Sequence, residues 1–288
     1  MNGSFASEKL HLDTIRAMYL QQRAYSMPEE VSLDAVSLSS RRKMMKFFFD
    51  LGHRIESSRE TVEITMSLLD RFLASETGSV AFENKRFFQL AATSCVYISQ
   101  KIHENVAITP GLLAQLSNGA FTADDVEKME LTIAKTLQWR LNPPTSASFI
   151  RNFLDLIPPK SMTRDLKRAI SDLARTQCEN AMEDPTLMGQ QKSLIAYVAL
   201  LNGAERLHAE KQFVCLQDTL EQILNINNTS DSFVDMRTTL NGALSKKLGV
   251  ALPRASHSCG PASIYSSSNV PPAPYNASPR SVSNNNVA

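Results

Sequence analysis

The sequence predicts an all-α protein of two tandem five-helix units, preceded by one helix and followed by a disordered tail. Apolar residues recur at the three-and-four spacing of a helix rather than in alternation. Ahead of Pro253 the prolines are sparse and pair at Pro143-Pro144 and Pro158-Pro159, between helical stretches. Two stretches carry no charge at all, Phe87 to Gln100 (FFQLAATSCVYISQ) and Ser193 to Ala204 (SLIAYVALLNGA), and each stands third in a series of helical segments. A helix without a charged face has to be surrounded by others. Small side chains at Ala91, Ala92, Ser94 and Cys95 let those neighbours come close. The recurrence is a weak internal repeat, joined at Leu141-Asn-Pro-Pro-Thr145.

Punctuation places the helices of the first unit. Ser39-Ser40 is expected to cap a helix whose Met44, Phe47, Phe48 and Leu51 form one stripe. On that start Arg41, Arg42 and Lys43 fall in the first turn, where the helix dipole disfavours cations by a few tenths of a kcal/mol each. Ser57-Ser58-Arg59-Glu60 reads as a capping box opening a second helix, with Val62, Met66, Leu69 and Leu73 inward. The third runs from near Asn84 to about Glu104. The fourth starts at Thr109-Pro110 and stops at Asn118-Gly119. Thr122, with Asp125 three residues on, caps the fifth, which carries Val126, Met129, Ile133 and Leu137 inward. The second unit's segments are Ser146 to Leu156, Thr163 to Met182, Gly189 to Leu207, Lys211 to Ile226 and Ser230 to Leu248. The expected layout is an extension over 1–39, units over 40–142 and 143–249, and a tail over 250–288. After Leu252 the only charges are Arg254 and Arg280 among Ser, Pro and Asn, a composition that cannot offset its ordering entropy.

Thirty Lys plus Arg against 29 Asp plus Glu leave a net charge of +1 over 288 residues, so no nucleic-acid or membrane partner is expected. Cys95, Cys178, Cys215 and Cys259 lie far apart with no CxxC pair, which excludes a zinc site and a disulfide framework. The segment from Met1 to Lys9 has no apolar run, and no stretch nears the roughly 18 apolar residues of a membrane span. The expectation is a soluble intracellular protein. The five histidines show no HExxH grouping, and there is no GxSxG or glycine-rich phosphate loop. No catalytic residue, cofactor or metal is therefore expected. His103 beside Glu104 reads as a solvated residue at a helix end rather than an acid-base pair.

Three charged residues stand out. Asp70 sits in Leu68-Leu-Asp-Arg-Phe-Leu73, and a carboxylate amid that much apolar surface wants a cationic partner, for which Arg41 is the candidate. Lys101 is the first charge after the neutral run and marks where the third helix leaves the core. Glu130, in Val126-Glu-Lys-Met-Glu-Leu131, reads by spacing as part of a solvated face.

Taken in order, Arg41, Glu60-Thr61, Leu69-Asp70-Arg71-Phe72-Leu73, Gln89-Leu90-Ala91, Ile98 through Glu104, Met129-Glu130 and Leu137-Gln-Trp139 leading to Pro144-Thr145 and Phe149 resemble the cyclin box. The likeness covers about Ser40 to Phe153, and the second unit resembles a second cyclin fold only in its helix pattern. The resemblance implies a regulatory subunit that binds and activates a cyclin-dependent kinase as a heterodimer in cell-cycle control, does no chemistry itself, and resides in the nucleus or cytoplasm. By the same resemblance Arg41 and Asp70 form a buried pair, and Lys101, Glu130 and Glu104 contact the kinase. A substrate-docking groove falls at Met44, Phe47 and Gln89, and kinase substrates are further partners. The segment Leu10 to Ala24, with Leu12, Ile15, Tyr19 and Leu20 at helical spacing, matches the family's N-terminal helix.

The chain departs from the family pattern in places. Where the family's first helix opens with Met-Arg and continues with aliphatics, this one has Ser40-Arg41-Arg42-Lys43-Met44, and Phe47 replaces a usual Trp. The usual Lys-Phe-Glu-Glu becomes Lys101-Ile-His103-Glu104. Two rivals share the helices. A cyclin-fold transcription factor calls for a basic surface and a cysteine-rich metal ribbon, which the sequence lacks. A helical scaffold without a kinase partner would leave Lys101 and Glu130 dispensable.

Overall fold

A computed structural model describes residues 2–27, 35–106 and 108–249, and every regular element among them is helical. In chain order the helices are α1 (Asn2–Gln22), α2 (Ala35–Arg54), α3 (Arg59–Leu73), α4 (Glu76–Ser79), α5 (Lys85–His103), α6 (Pro110–Leu116), α7 (Ala123–Thr136), α8 (Ser146–Asp155), α9 (Arg164–Glu183), α10 (Lys192–Arg206), α11 (Val214–Leu224) and α12 (Asp231–Leu248). The tail predicted from Pro253 onward lies outside the described residues.

Local capping explains most of the starts. Ser58, Asn84, Thr109, Thr122, Thr145, Thr163 and Ser230 each accept a first-turn N–H through the side chain, satisfying a donor that the helix itself cannot. Thr122 and Asp125 close a full box, with bonds of 3.2 and 2.8 Å. Two expectations need correction. Helix α2 begins at Ala35, so Ser39 and Ser40 lie within it, and Arg41, Arg42 and Lys43 are clear of the first turn. The dipole penalty on them disappears because the helix continues N-terminally, burying Ser37 one turn before Arg41 on the same face. At α3, Ser58 accepts from the Glu60 N–H at 3.2 Å, but the Glu60 carboxylate turns away to accept the Thr145 hydroxyl, and the box stays open. The short α4 and the 3-10 turn Val80–Phe82 carry no apolar periodicity and were not expected from the sequence.

Two clusters of buried apolar side chains form the interior. One runs from Met45 to Leu137 with Met182 added, and it surrounds α5, where Ala91, Ala92 and Cys95 are fully buried. The other runs from Phe149 to Leu240 with Ile15 added, and it surrounds α10. Ile15 thus gives α1 its anchor, whereas Leu20, expected on the same face, is 62% exposed.

Polar contacts across the sequence complete the frame. The Tyr19 hydroxyl donates to the Leu224 carbonyl at 3.0 Å. Helix α10 has no side-chain cap of its own, and Gln22 supplies one, accepting the Ser193 N–H at 3.2 Å while donating to the Ser193 hydroxyl at 2.8 Å. Glu63 on α3 accepts the Ser146 N–H at 2.7 Å, placing a buried carboxylate on the positive end of α8.

Candidate functional site

Helices α2 and α3 meet at a bidentate ion pair. Arg41 donates from Nε to Asp70 Oδ1 and from Nη2 to Oδ2, both at 2.7 Å, and its Nη1 donates to the Met182 carbonyl at the end of α9. The two residues are 3% and 7% exposed, so the pair is held out of water. The third bond ties the pair to a strip of chain more than a hundred residues away, which spacing alone cannot reveal.

Helix α5 leaves the core at Lys101. Its ammonium donates to Glu130 Oε1 on α7 at 3.0 Å and lies 5.3 Å from the Tyr97 ring centre. The hydrogen bond to Glu130 raises the Lys101 pKa above the ordinary lysine value, keeping it charged. The side chains are 51% and 24% exposed, so they form one surface patch, bordered by the exposed Ile102. Sequence spacing cannot show that residues 29 positions apart meet, but the structure joins them on one face.

Glu104 behaves differently from an open contact. Its Oε1 accepts from the Ser57 hydroxyl and the Ser58 N–H, both at 2.8 Å, and from the Thr61 hydroxyl. Burial alone would push this carboxyl up, but the bonds from Thr61, Ser57 and Ser58 outweigh it and hold the pKa below the usual range. Gln100 adds a 2.7 Å bond to the Ser57 hydroxyl, so the last turn of α5 is latched to the first turn of α3. His103 is not the solvated residue expected at a helix end. It is half-buried with Nε2 sealed from solvent, and burial lowers its pKa against the opposing hydrogen bond to the Leu141 backbone and the charges of Glu60 and Glu104.

Met44, Phe47 and Gln89 line a common groove of about 250 Å³ between α2, α5 and α6, closed by Leu113, Leu116 and Phe121. Leu116 remains 44% exposed at its mouth. Sequence reasoning missed the α6 wall because PGLLAQL is too short to show a face. Among the described residues no group of three His, Cys, Asp or Glu is placed to hold a metal, and no helix is long and apolar enough to cross a membrane.

Residues 11–142 match the family described as cyclin, N-terminal domain. That match spans a little under half of the chain and includes Arg41, Asp70, Lys101 and Glu130. The chain is 32% identical over 122 residues to the G1/S-specific cyclin-E of Caenorhabditis briggsae, covering 42% of this chain and 23% of the relative. With the G1/S-specific cyclin-D1 of Xenopus laevis it shares 26% identity over 183 residues, 62% of this chain and 60% of the relative. The matches therefore span between about a quarter and three fifths of these curated relatives. In fold it is similar to a viral cyclin from herpesvirus saimiri, with a TM-score of 0.61 at 22% identity, covering 82% of this chain and 96% of that one.

Proposed function

We propose that this chain is a regulatory subunit that binds and activates a cyclin-dependent protein kinase in cell-cycle control, contributing no catalytic group of its own. The observation that carries the reading is the Lys101–Glu130 pair, held on one exposed patch at the point where α5 leaves its core. An ammonium on a rigid helix end loses little side-chain freedom on association, and it can donate to carbonyls of a partner while Glu130 accepts from neighbouring N–H groups. A surface that holds the kinase's regulatory helix in place brings that helix's Glu to the strand Lys and favours the open activation loop. On this reading the chain works in the nucleus or cytoplasm. Its two cyclin folds lie over 40–142 and 143–249, in keeping with the two buried clusters. The groove at Met44, Phe47 and Gln89 serves as a docking point for substrates of the kinase. Glu104, with Oε1 committed to Ser57, Ser58 and Thr61, contributes chiefly by holding the last turn of α5 in place, and only Oε2 is left to face a partner.

The test is capture of recombinant cyclin-dependent kinases by Lys101→Ala and Glu130→Ala, with melting measured in parallel. Each substitution should cost about 2 kcal/mol of binding, roughly a thirtyfold loss in affinity, with little change in melting. Wild-type affinity in both variants refutes the reading and favours a scaffold without a kinase partner.

A further inference from the structure

Two cations face one small cavity without a counter-ion. The cavity, of about 50 Å³, lies between the end of α1, the C-terminal half of α3 and the start of α10, and Arg71 and Lys192 both line it. Arg71 is half-buried, with its guanidinium 4.8 Å from the centre of the Tyr25 ring. Among the described residues it makes one hydrogen bond, from Nη1 to the Arg140 carbonyl at 2.9 Å, out of the five N–H groups that an arginine offers. Lys192 is the first residue of α10, where the helix dipole disfavours a cation. Neither has a carboxylate within ion-pair distance among the described residues. The two carboxylates that share the cavity are committed elsewhere. Asp70 binds Arg41, the third cation of the lining, through both oxygens, and Glu63 accepts the Ser146 and Ala147 N–H groups at 2.7 and 3.4 Å. Burial pushes the Arg71 pKa below the ordinary arginine value; Tyr25 and Cys95 oppose the shift and the charge of Arg140 adds to it. A guanidinium held partly out of water with no opposite charge costs stability, and an anionic ligand offsets that cost.

We infer that this cavity binds the phosphoryl group of a phosphoserine or phosphothreonine on a partner protein, with Arg71 and Lys192 as its two cations. Charge, size and reach all match. A phosphoryl group carries about −1.5 to −2 at neutral pH, which two unpaired cations balance, whereas a carboxylate leaves one of them unmatched. Its three acceptor oxygens suit a guanidinium fork on one side and an ammonium on the other. The cavity holds a few water-sized groups, enough for one tetrahedral anion and too little for a nucleotide base or an aromatic ring. A site of that size favours the short side chains of serine and threonine over phosphotyrosine. It shares no residue with the Lys101–Glu130 patch, so it adds to the proposed activator a second surface, one that reads the phosphorylation state of its partner.

The experiment uses the full chain and a fluorescein-labelled peptide, Gly-Ala-Ala-phosphoserine-Ala-Ala-Gly, beside its Ser and Glu counterparts, read by fluorescence anisotropy. The phosphopeptide should bind about tenfold tighter than either, with the gap narrowing as salt rises. Lys192→Glu should erase the preference while melting no lower than the parent, since an acid suits the first turn of α10. Arg71→Lys keeps the charge but loses the fork, and its preference should fall between those of the parent and Lys192→Glu. Equal binding of the three peptides, no binding of any, or a preference unchanged in Lys192→Glu overturns the proposal. Inorganic phosphate that competes as tightly as the phosphopeptide also overturns it, because the partner's chain then contributes nothing. So does binding that appears only after Glu29→Gln and Glu30→Gln are introduced together, since carboxylates of this chain are then the occupants.

Discussion

Removing one half of the Arg41–Asp70 pair should damage the fold far more than removing both. The two 2.7 Å bonds are charge-assisted and in the parallel fork geometry that makes Arg–carboxylate pairs strong, and neither partner can turn to water. Asp70→Ala leaves a buried guanidinium unpaired, which costs about 4 kcal/mol, within the range of roughly 3 to 5 for a broken buried pair. For a chain of this size each kcal/mol moves the melting midpoint by about 2 to 4 °C, so the expected drop is roughly 8 to 16 °C. Arg41→Ala loses the same pair and also strips the Met182 carbonyl of its donor, adding about 1 to 3 kcal/mol. In the double variant no charge is left stranded, so its loss should fall short of the sum of the singles by about 3 kcal/mol. Arg41→Lys retains a charge but cannot reach both Asp70 oxygens and the Met182 carbonyl together, and it should fall between parent and Arg41→Ala. Differential scanning calorimetry on the four proteins forms the cycle. Additive losses, or a shift under about 2 °C in Asp70→Ala, would refute the reasoning.

The packing around Gly78 and the burial of His103 and Glu104 have measurable consequences. A Cβ on Gly78 would sit 1.9 Å from the Phe72 carbonyl oxygen, a backbone atom that cannot step aside, so Gly78→Ala should displace α4 and lower the melting midpoint by several degrees; parental melting would show that α4 moves freely. Acidification should weaken the junction of α5 with α3 in two windows. His103 has its pKa lowered in the fold, so stability is complete above the ordinary value of about 6.5 and falls as pH drops through the folded value. Glu104 is also lowered, so its contribution is present above about 4.3 and is lost only at more acid pH. Melting curves across pH should show the first step vanish in His103→Asn and the second in Glu104→Gln; an unchanged profile in either variant would contradict its assignment.

What the sequence determined by itself is everything carried by neighbours along the chain. Ser58, Asn84, Thr109 and Thr122 announce helix starts because a capping side chain reaches N–H groups only two or three residues away. The neutral run through Ala91 and Cys95 announces a surrounded helix because no charge can be left there without water. The serine pair at Ser39-Ser40 misled because a cap signal is only permissive, and the helix runs on when residues ahead of it can be buried. Tertiary structure alone decided the rest. The Met182 carbonyl as Arg41's third acceptor, Glu63 on the α8 N-terminus and Gln22 as the cap of α10 each join residues more than eighty positions apart. The Lys101–Glu130 contact and the α6 wall of the groove likewise exist only once helices are packed. Composition and periodicity report which face of a helix is buried. Which buried or exposed groups meet depends on how the helices cross, and that is set by side-chain packing over the whole interior rather than by any stretch of sequence.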